Sequence, residues 1–418
     1  MTPHLRYVGL ARRCSWAALA LGLALSATAR ADDDLPGMHY TLGLTALHDD
    51  NLFRLPDGQT PVDAGLSGTQ RDDLVLMPFV DIEGRWQLSR QQLLASLHAR
   101  ADRYADNDLY DDHTVDYALD WRWALAQSWD GRLAIDREQE ATSLADYRGT
   151  RTNLLTVRAL HATVNLRPRP DRRATLAFDT YLGSNSLVAR NTADYRITTA
   201  RAELGAVSAL AHEIWLFAAR TEGRYPNRQI SWLAPVDNSY TQNDLALNAR
   251  LAPSEATQID LSVGHAWRRY EEVSARNFTG PTGNLSLSWQ ATARLTFKAG
   301  LAEEIGAVDD YDRIYVTTRS KSASINYQAT AKLGTALEFK RKQLRYRGDP
   351  NNFLSNYTGA ANTPDRQETR DEIHANLVWQ PALHFTTILT LAKLRRAANV
   401  SGLQYDAVQQ QLTLQYQW

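Results

Sequence analysis

Residues 114 to 125 read TVDYALDWRWAL, and their alternation limits the possible fold more than any other feature of the chain. Val115, Tyr117, Leu119, Trp121, Trp123 and Leu125 fall on one face of an extended strand. Thr114, Asp116, Ala118, Asp120, Arg122 and Ala124 fall on the other, because successive side chains of a strand point to opposite sides. A dry sandwich core would leave the mid-strand Asp and Arg desolvated. A wall with lipid on one side and water on the other accommodates both faces.

The same period-two pattern recurs over Met38–Leu47, Leu74–Leu88, Leu93–Arg103, Leu245–Leu251, Ile259–Trp267, Leu285–Trp289, Ile373–Trp379 and Val408–Trp418. No helical periodicity of comparable length competes with it. Short polar turns, among them LSRQQ at 88–92, RPRPDR at 167–172, APSEAT at 252–257 and QPA at 380–382, return about every forty residues, the spacing of a strand-loop-strand unit. Longer polar stretches alternate with them. Aromatics stand just before several short turns, at Trp123, Trp289, Tyr327 and Trp379, where an interfacial girdle would lie. These features predict an all-β chain: one transmembrane antiparallel β-barrel of about 18 strands (about 16–18), with short periplasmic turns and long extracellular loops. The final residues, QLTLQYQW, end on Trp418 and resemble the terminal strand that outer-membrane barrels present to the barrel-assembly machinery.

The amino terminus fits that destination. Arg6, Arg12 and Arg13 precede an apolar run from Trp16 to Leu25 and small-x-small cleavage options ending at Ala29 and Ala31, the pattern of a secretory signal peptide over residues 1–31. Residues 32–37 are then expected to form a short periplasmic tail and 38–418 the barrel, in the outer membrane of a Gram-negative bacterium. No window is long and apolar enough for a membrane-spanning helix. The chain holds 46 basic and 47 acidic residues; removing four arginines with residues 1–31 leaves 42 against 47, a net of −5. That balance gives no reason to expect a nucleic-acid partner. The single cysteine, Cys14, lies in the signal segment, so the mature barrel has no thiol for a disulfide or a metal.

A search for chemistry in the motifs yields no catalytic, metal or cofactor site. The acidic stretch LHDDNLFRLPDG (47–58) lacks the glycine that a calcium loop needs at its sixth position, since counting from Asp49 places Arg54 there. Gly65-Leu66-Ser67-Gly68 lacks the spacing of a nucleophile elbow, and no H-E-x-x-H pattern occurs.

The polar strand faces are the stronger lead. His98, Arg100 and Asp102 are expected to face Asp116, Asp120 and Arg122 on the next strand, with Asp244, Arg250 and Asp260 further round the lumen. Mixed charges of this kind suit hydroxyl-rich or zwitterionic cargo, or pair with one another and merely solvate the wall. Near the long-loop end, Arg341, Arg345 and Arg347 in EFKRKQLRYR, with Arg395 in LRR, form a basic rim. Such a rim can meet anionic sugar or the phosphates of lipopolysaccharide.

The stretch Asp49, Asp50, Asn51, Leu52, Phe53, Arg54 and Leu55, following a first strand and a signal segment, resembles a motif of EpsL-type outer-membrane proteins, which are encoded with exopolysaccharide genes and exosortase/PEP-CTERM systems. The resemblance implies a porin-like barrel in exopolysaccharide biosynthesis or export, acting as a passive conduit or secretion-site component in contact with polysaccharide and other export components. It carries no catalytic residue. A general or nutrient-specific porin and an outer-membrane hydrolase or lipid-modifying enzyme are the alternatives. On this reading Asp49, Asp50 and Asn51 form an outer lip, with Leu52 and Phe53 anchoring the first loop to the barrel mouth.

Overall fold

The structure, a computed structural model, describes residues 37–67, 70–145, 147–208, 212–227, 239–271, 277–307, 313–348 and 366–418. The expected signal segment and residues 32–36 of the expected tail lie outside the described residues.

Eighteen strands form one sheet. In chain order they are β1 (Gly37–Asp49), β2 (Asp73–Leu88), β3 (Gln91–Tyr104), β4 (Asp112–Leu125), β5 (Trp129–Ala141), β6 (Leu154–Arg169), β7 (Arg172–Asn185), β8 (Tyr195–Val207) and β9 (Glu213–Arg224). They continue with β10 (Tyr240–Ser254), β11 (Thr257–Tyr270), β12 (Phe278–Thr292), β13 (Leu295–Ala307), β14 (Arg313–Thr330), β15 (Leu333–Gly348), β16 (Gln367–Ala382), β17 (Phe385–Ala398) and β18 (Tyr405–Gln417). Each strand pairs antiparallel with its chain neighbours, and β1 closes on β18 through the register Thr41 opposite Gln417 to Asp49 opposite Gln409. Closure leaves no edge, as lipid requires of a spanning sheet.

The expected short turns at 88–92, 167–172, 252–257 and 380–382 join strand pairs at one end, and the long connections lie at the other. The alternation orients the wall as expected. Leu42, Leu44, Val115, Leu119, Trp121, Leu285, Leu377 and Leu412 are exposed on the outside, while Thr45, Thr114, Asp120, Asn376 and Thr413 face inward and are covered by their neighbours. Near the short-turn end Trp86, Trp121, Trp289, Tyr327 and Trp379 stay exposed outward. Trp418 stacks on Tyr40 with ring centroids 5.6 Å apart, and the two backbones exchange a pair of 3.0 Å hydrogen bonds. The last aromatic therefore locks the short-turn end of the seam.

Some glycines of the inner wall serve as sockets. A Cβ on Gly183 would sit 2.3 Å from the Tyr195 ring, and one on Gly223 would sit 2.3 Å from Tyr240. Tyr181, Tyr195, Tyr240 and Tyr270 of β7, β8, β10 and β11, with Tyr225 just beyond β9, pack into one buried cluster, with the Arg268 guanidinium 4.1 Å above the Tyr240 ring.

Candidate functional site: the loop-filled barrel mouth

The first long loop does not project as a lip. Asp49, at the end of β1, accepts two 2.7 Å hydrogen bonds from the Arg54 guanidinium, a third of 3.0 Å from the Asn51 amide and a fourth of 2.7 Å from the Gln409 side chain on β18. Asn51 brackets Leu55 through its own amide group, at 2.9 Å in both directions, and donates to the Asp406 carbonyl at 2.8 Å. Asp50 exchanges hydrogen bonds with the Val408 backbone. These contacts hold Arg54 at φ +56°, a left-handed conformation that a side chain with a Cβ resists. Asp49, Asn51 and Arg54 are buried, which corrects the expected outer lip at Asp49 and Asn51, while Asp50 stays exposed. The residues are too well partnered to be solvated, and they fasten the long-loop end of the β1–β18 seam. The expected anchoring by Leu52 and Phe53 is observed: both are buried with Leu55, Leu66 and Tyr110, and Phe53 meets Tyr110 edge-on at 5.4 Å.

Other loops join this plug. In residues 142–153, the Ala145 carbonyl accepts a 2.8 Å hydrogen bond from Arg396, on the inner face of β17. That contact starts between β5 and β6 and ends six strands round the ring, so the loop crosses the lumen. Arg148 extends the bridge, donating to the Gly402 carbonyl at 2.8 Å and to the Arg54 carbonyl at 2.6 Å. Tyr110 donates to the Gly149 carbonyl at 2.7 Å, and Thr152 donates back to the Tyr110 carbonyl at 2.7 Å. Burial pushes the Tyr110 phenol above its ordinary pKa. Burial, reinforced by the nearby Arg396 charge, pulls that of the Arg148 guanidinium down.

Beside the loop, Glu368 on β16 is surrounded by three arginines. Arg366 and Arg396 pair with one carboxylate oxygen, and Arg370 pairs with the other at 2.9 Å. Arg366 also lies 4.2 Å above the Tyr346 ring. Arg148 lies close enough to Arg396 for the two charges to repel, so at this point of the mouth four guanidinium groups gather near the Glu368 carboxylate.

The expected lumen residues face inward but do not converge. His98 lies opposite Asp116 in register, yet its ring pairs with Asp81 on the other side, and Asp116 accepts from the Gln139 amide at 2.6 Å. Arg100 turns along its own strand to Asp102 at 2.7 Å and lies opposite Thr114. Asp120 takes Arg122 at 3.1 Å and Arg132 of β5 at 2.9 Å. Far round the ring, Arg250 meets Asp260 at 2.6 Å across the β10–β11 pair, and Asp244 accepts two bonds from Gln242 at 2.8 and 2.9 Å. The expected facing of one strand's charges to the next therefore holds for His98 and Asp116 alone, because the register sets other neighbours opposite the rest.

Of the expected basic rim, Arg341, Arg345 and Arg395 share one face of the wall, and the next arginine in sequence does not. Arg341, Arg345 and Arg395 are exposed on the outer face, while Arg396, next in sequence to Arg395, is buried inside. Arg347 lies on the same strand, β15, beyond Arg345. Sequence reasoning passed over Glu368, Arg366, Arg370, Arg396 and Arg148, and also His161, which sits 3.0 Å from Asp136 and 2.6 Å from Asp179 on the adjacent strands. Inward parity marked Glu368, Arg370 and Arg396; nothing local marked Arg148.

No family model matches the chain, and no curated protein matches it. Solved structures do resemble it. OccK2 (OpdF) of Pseudomonas aeruginosa superposes with a TM-score of 0.50 at 10% identity, covering 91% of this chain and 98% of that one. The outer membrane protein opdK of the same organism gives 0.48 at 10% identity over 91% and 99% of the two chains. OccK9 (OpdG), also from Pseudomonas aeruginosa, gives 0.48 at 12% identity over 91% and 98%. At this identity the likeness is one of fold. A closed eighteen-strand barrel with an apolar outer band and aromatic girdle makes the protein an integral β-barrel of the Gram-negative outer membrane.

Proposed function

We propose that the barrel is a passive, porin-like conduit for small polar solutes, narrowed at its outer mouth by inward-lying loops and biased there toward anions. The observation that carries this reading is the path of loop 142–153 to Arg396, six strands round the ring, which sets a polar constriction inside a barrel wide enough for water. Around Glu368, Arg366, Arg370 and Arg396 with Arg148 nearby outnumber the carboxylate locally, and a local surplus of positive charge in a low-dielectric surround selects ions of opposite sign.

Purified barrel in planar bilayers tests it. A salt gradient is expected to give single-channel conductance with an anion-selective reversal potential, and Arg148→Ala should reduce that selectivity. A barrel that never conducts would overturn the proposal. The exopolysaccharide role implied by Asp49 to Leu55 is the weaker reading, because Asp49, Asp50, Asn51 and Arg54 are engaged in closing the seam. A clean deletion that abolishes surface polysaccharide, with a purified barrel closed to small ions, would reverse that order.

A further inference from the structure

The outer face of the wall is not uniform. On β14 to β17 the outward residues of the short-turn half carry no charge, as with Ile325, Tyr327, Leu337, Ile373, Leu377 and Leu389. Toward the long-loop end the same face turns cationic, with Arg319, Lys321, Arg341, Arg345, Lys393 and Arg395 all exposed outward. Asp371 lies among them, with Glu303 and Asp406 on the flanking strands β13 and β18, so among the described side chains six positive charges face three negative ones.

The register draws much of this patch into one row. Lys321 lies opposite Arg341, Arg341 opposite Asp371, Asp371 opposite Arg395, and Arg395 opposite Asp406. Two features of the patch call for an anion. Lys321 and Arg341 are like charges directly across a strand pair, an arrangement that is unfavourable alone. Lys321, Arg345 and Lys393 also have no ion-pair partner among the described residues, whereas Arg341, Arg319 and Arg395 are balanced by Asp371 at 2.6 Å, Glu303 at 3.0 Å and Asp406 at 3.9 Å.

Height identifies the anion. Asp371 is eight residues beyond Trp379 on β16. At about 3.3 Å per residue and a tilt near 40°, that is roughly 20 Å above the Trp379 girdle, close to the top of a ~25 Å apolar band. Arg345, four residues beyond Arg341 on the next strand, reaches above it. Charges at this level meet the headgroups of the outer leaflet.

We infer that the outward face of β14 to β18 is a docking surface for the phosphorylated glycolipid of that leaflet, lipopolysaccharide, with its lipid A phosphates on Lys321, Arg345 and Lys393 and its acyl chains on the apolar strip below. Charge-assisted contacts to phosphate supply the attraction, and the strip supplies the apolar match. The inference does not depend on whether the lumen conducts.

The test uses the full-length barrel purified in neutral detergent and titrated with bisphosphorylated lipid A, dephosphorylated lipid A, phosphatidylglycerol or inorganic phosphate, with bound lipid counted by native mass spectrometry. The wild-type barrel should bind bisphosphorylated lipid A at least tenfold more tightly than the dephosphorylated form or phosphatidylglycerol, and inorganic phosphate should not displace it. The triple variant Lys321→Gln, Arg345→Gln and Lys393→Gln should lose that preference, while Lys321→Arg with Lys393→Arg keeps it. Equal binding of the two lipid A forms by the wild-type barrel would overturn the proposal even if the triple variant failed to fold. So would an unchanged preference in the triple variant, or displacement by inorganic phosphate.

Discussion

Two arginine–aspartate forks of nearly the same geometry sit on opposite sides of the barrel wall. Arg54 meets Asp49 with two contacts of 2.7 Å, and Arg341 meets Asp371 with contacts of 2.6 and 2.9 Å. Their surroundings differ: the first pair is 11% and 2% exposed, the second 47% and 23%. Asp49 has two further donors and holds a loop against the seam, whereas Asp371 stands in an open row of charges. Geometry alone does not set what an ion pair contributes; the cost of leaving one partner uncompensated does.

Breaking the inner fork should therefore have the largest effect. Arg54→Ala leaves Asp49 buried without its counter-ion and should cost about 3–5 kcal/mol, read as a lower midpoint in urea unfolding from lipid vesicles. Phe53→Ala removes the ring beneath the same loop and should cost roughly 3–5 kcal/mol by cavity formation, again by urea unfolding. The Arg54 change should loosen the seam contacts to β18 as well, visible as faster amide exchange at Val408. Glu368→Gln takes the carboxylate from three arginines and should destabilise by about 2–4 kcal/mol, since charge-assisted hydrogen bonds are lost and buried cations repel. The same change should raise the anion selectivity of the channel, seen in the reversal potential. Arg341→Ala on the outer face should have the smallest effect, leaving the midpoint of the same urea unfolding nearly unchanged. An outer effect as large as the inner one would show that burial is not what separates the two forks.

The pair also shows how much was legible in advance. Strand parity was readable for both faces, because alternation is local and each segment repeats it. It placed His98, Asp116, Asp120 and Arg250 inward, and the girdle tryptophans outward. The partners were not readable. Whether Arg100 turns to Asp102 or crosses to the next strand depends on register and rotamer, and both are settled by the whole ring. Asp49 to Leu55 drew notice as a family-like label; its role in the seam needed the position of β18, more than 350 residues away in sequence.

From the amino acids alone came the antiparallel barrel, its eighteen strands, the two faces of each and the end at which the long loops lie. All of these follow from period-two patterning and turn chemistry, which act between near neighbours. Tertiary structure alone decided that loop 142–153 turns into the lumen, that four arginines gather near Glu368, and that charges scattered over β14 to β18 align as a single outward row. Those outcomes depend on closure, which brings the first strand beside the last and sets each register in relation to the rest.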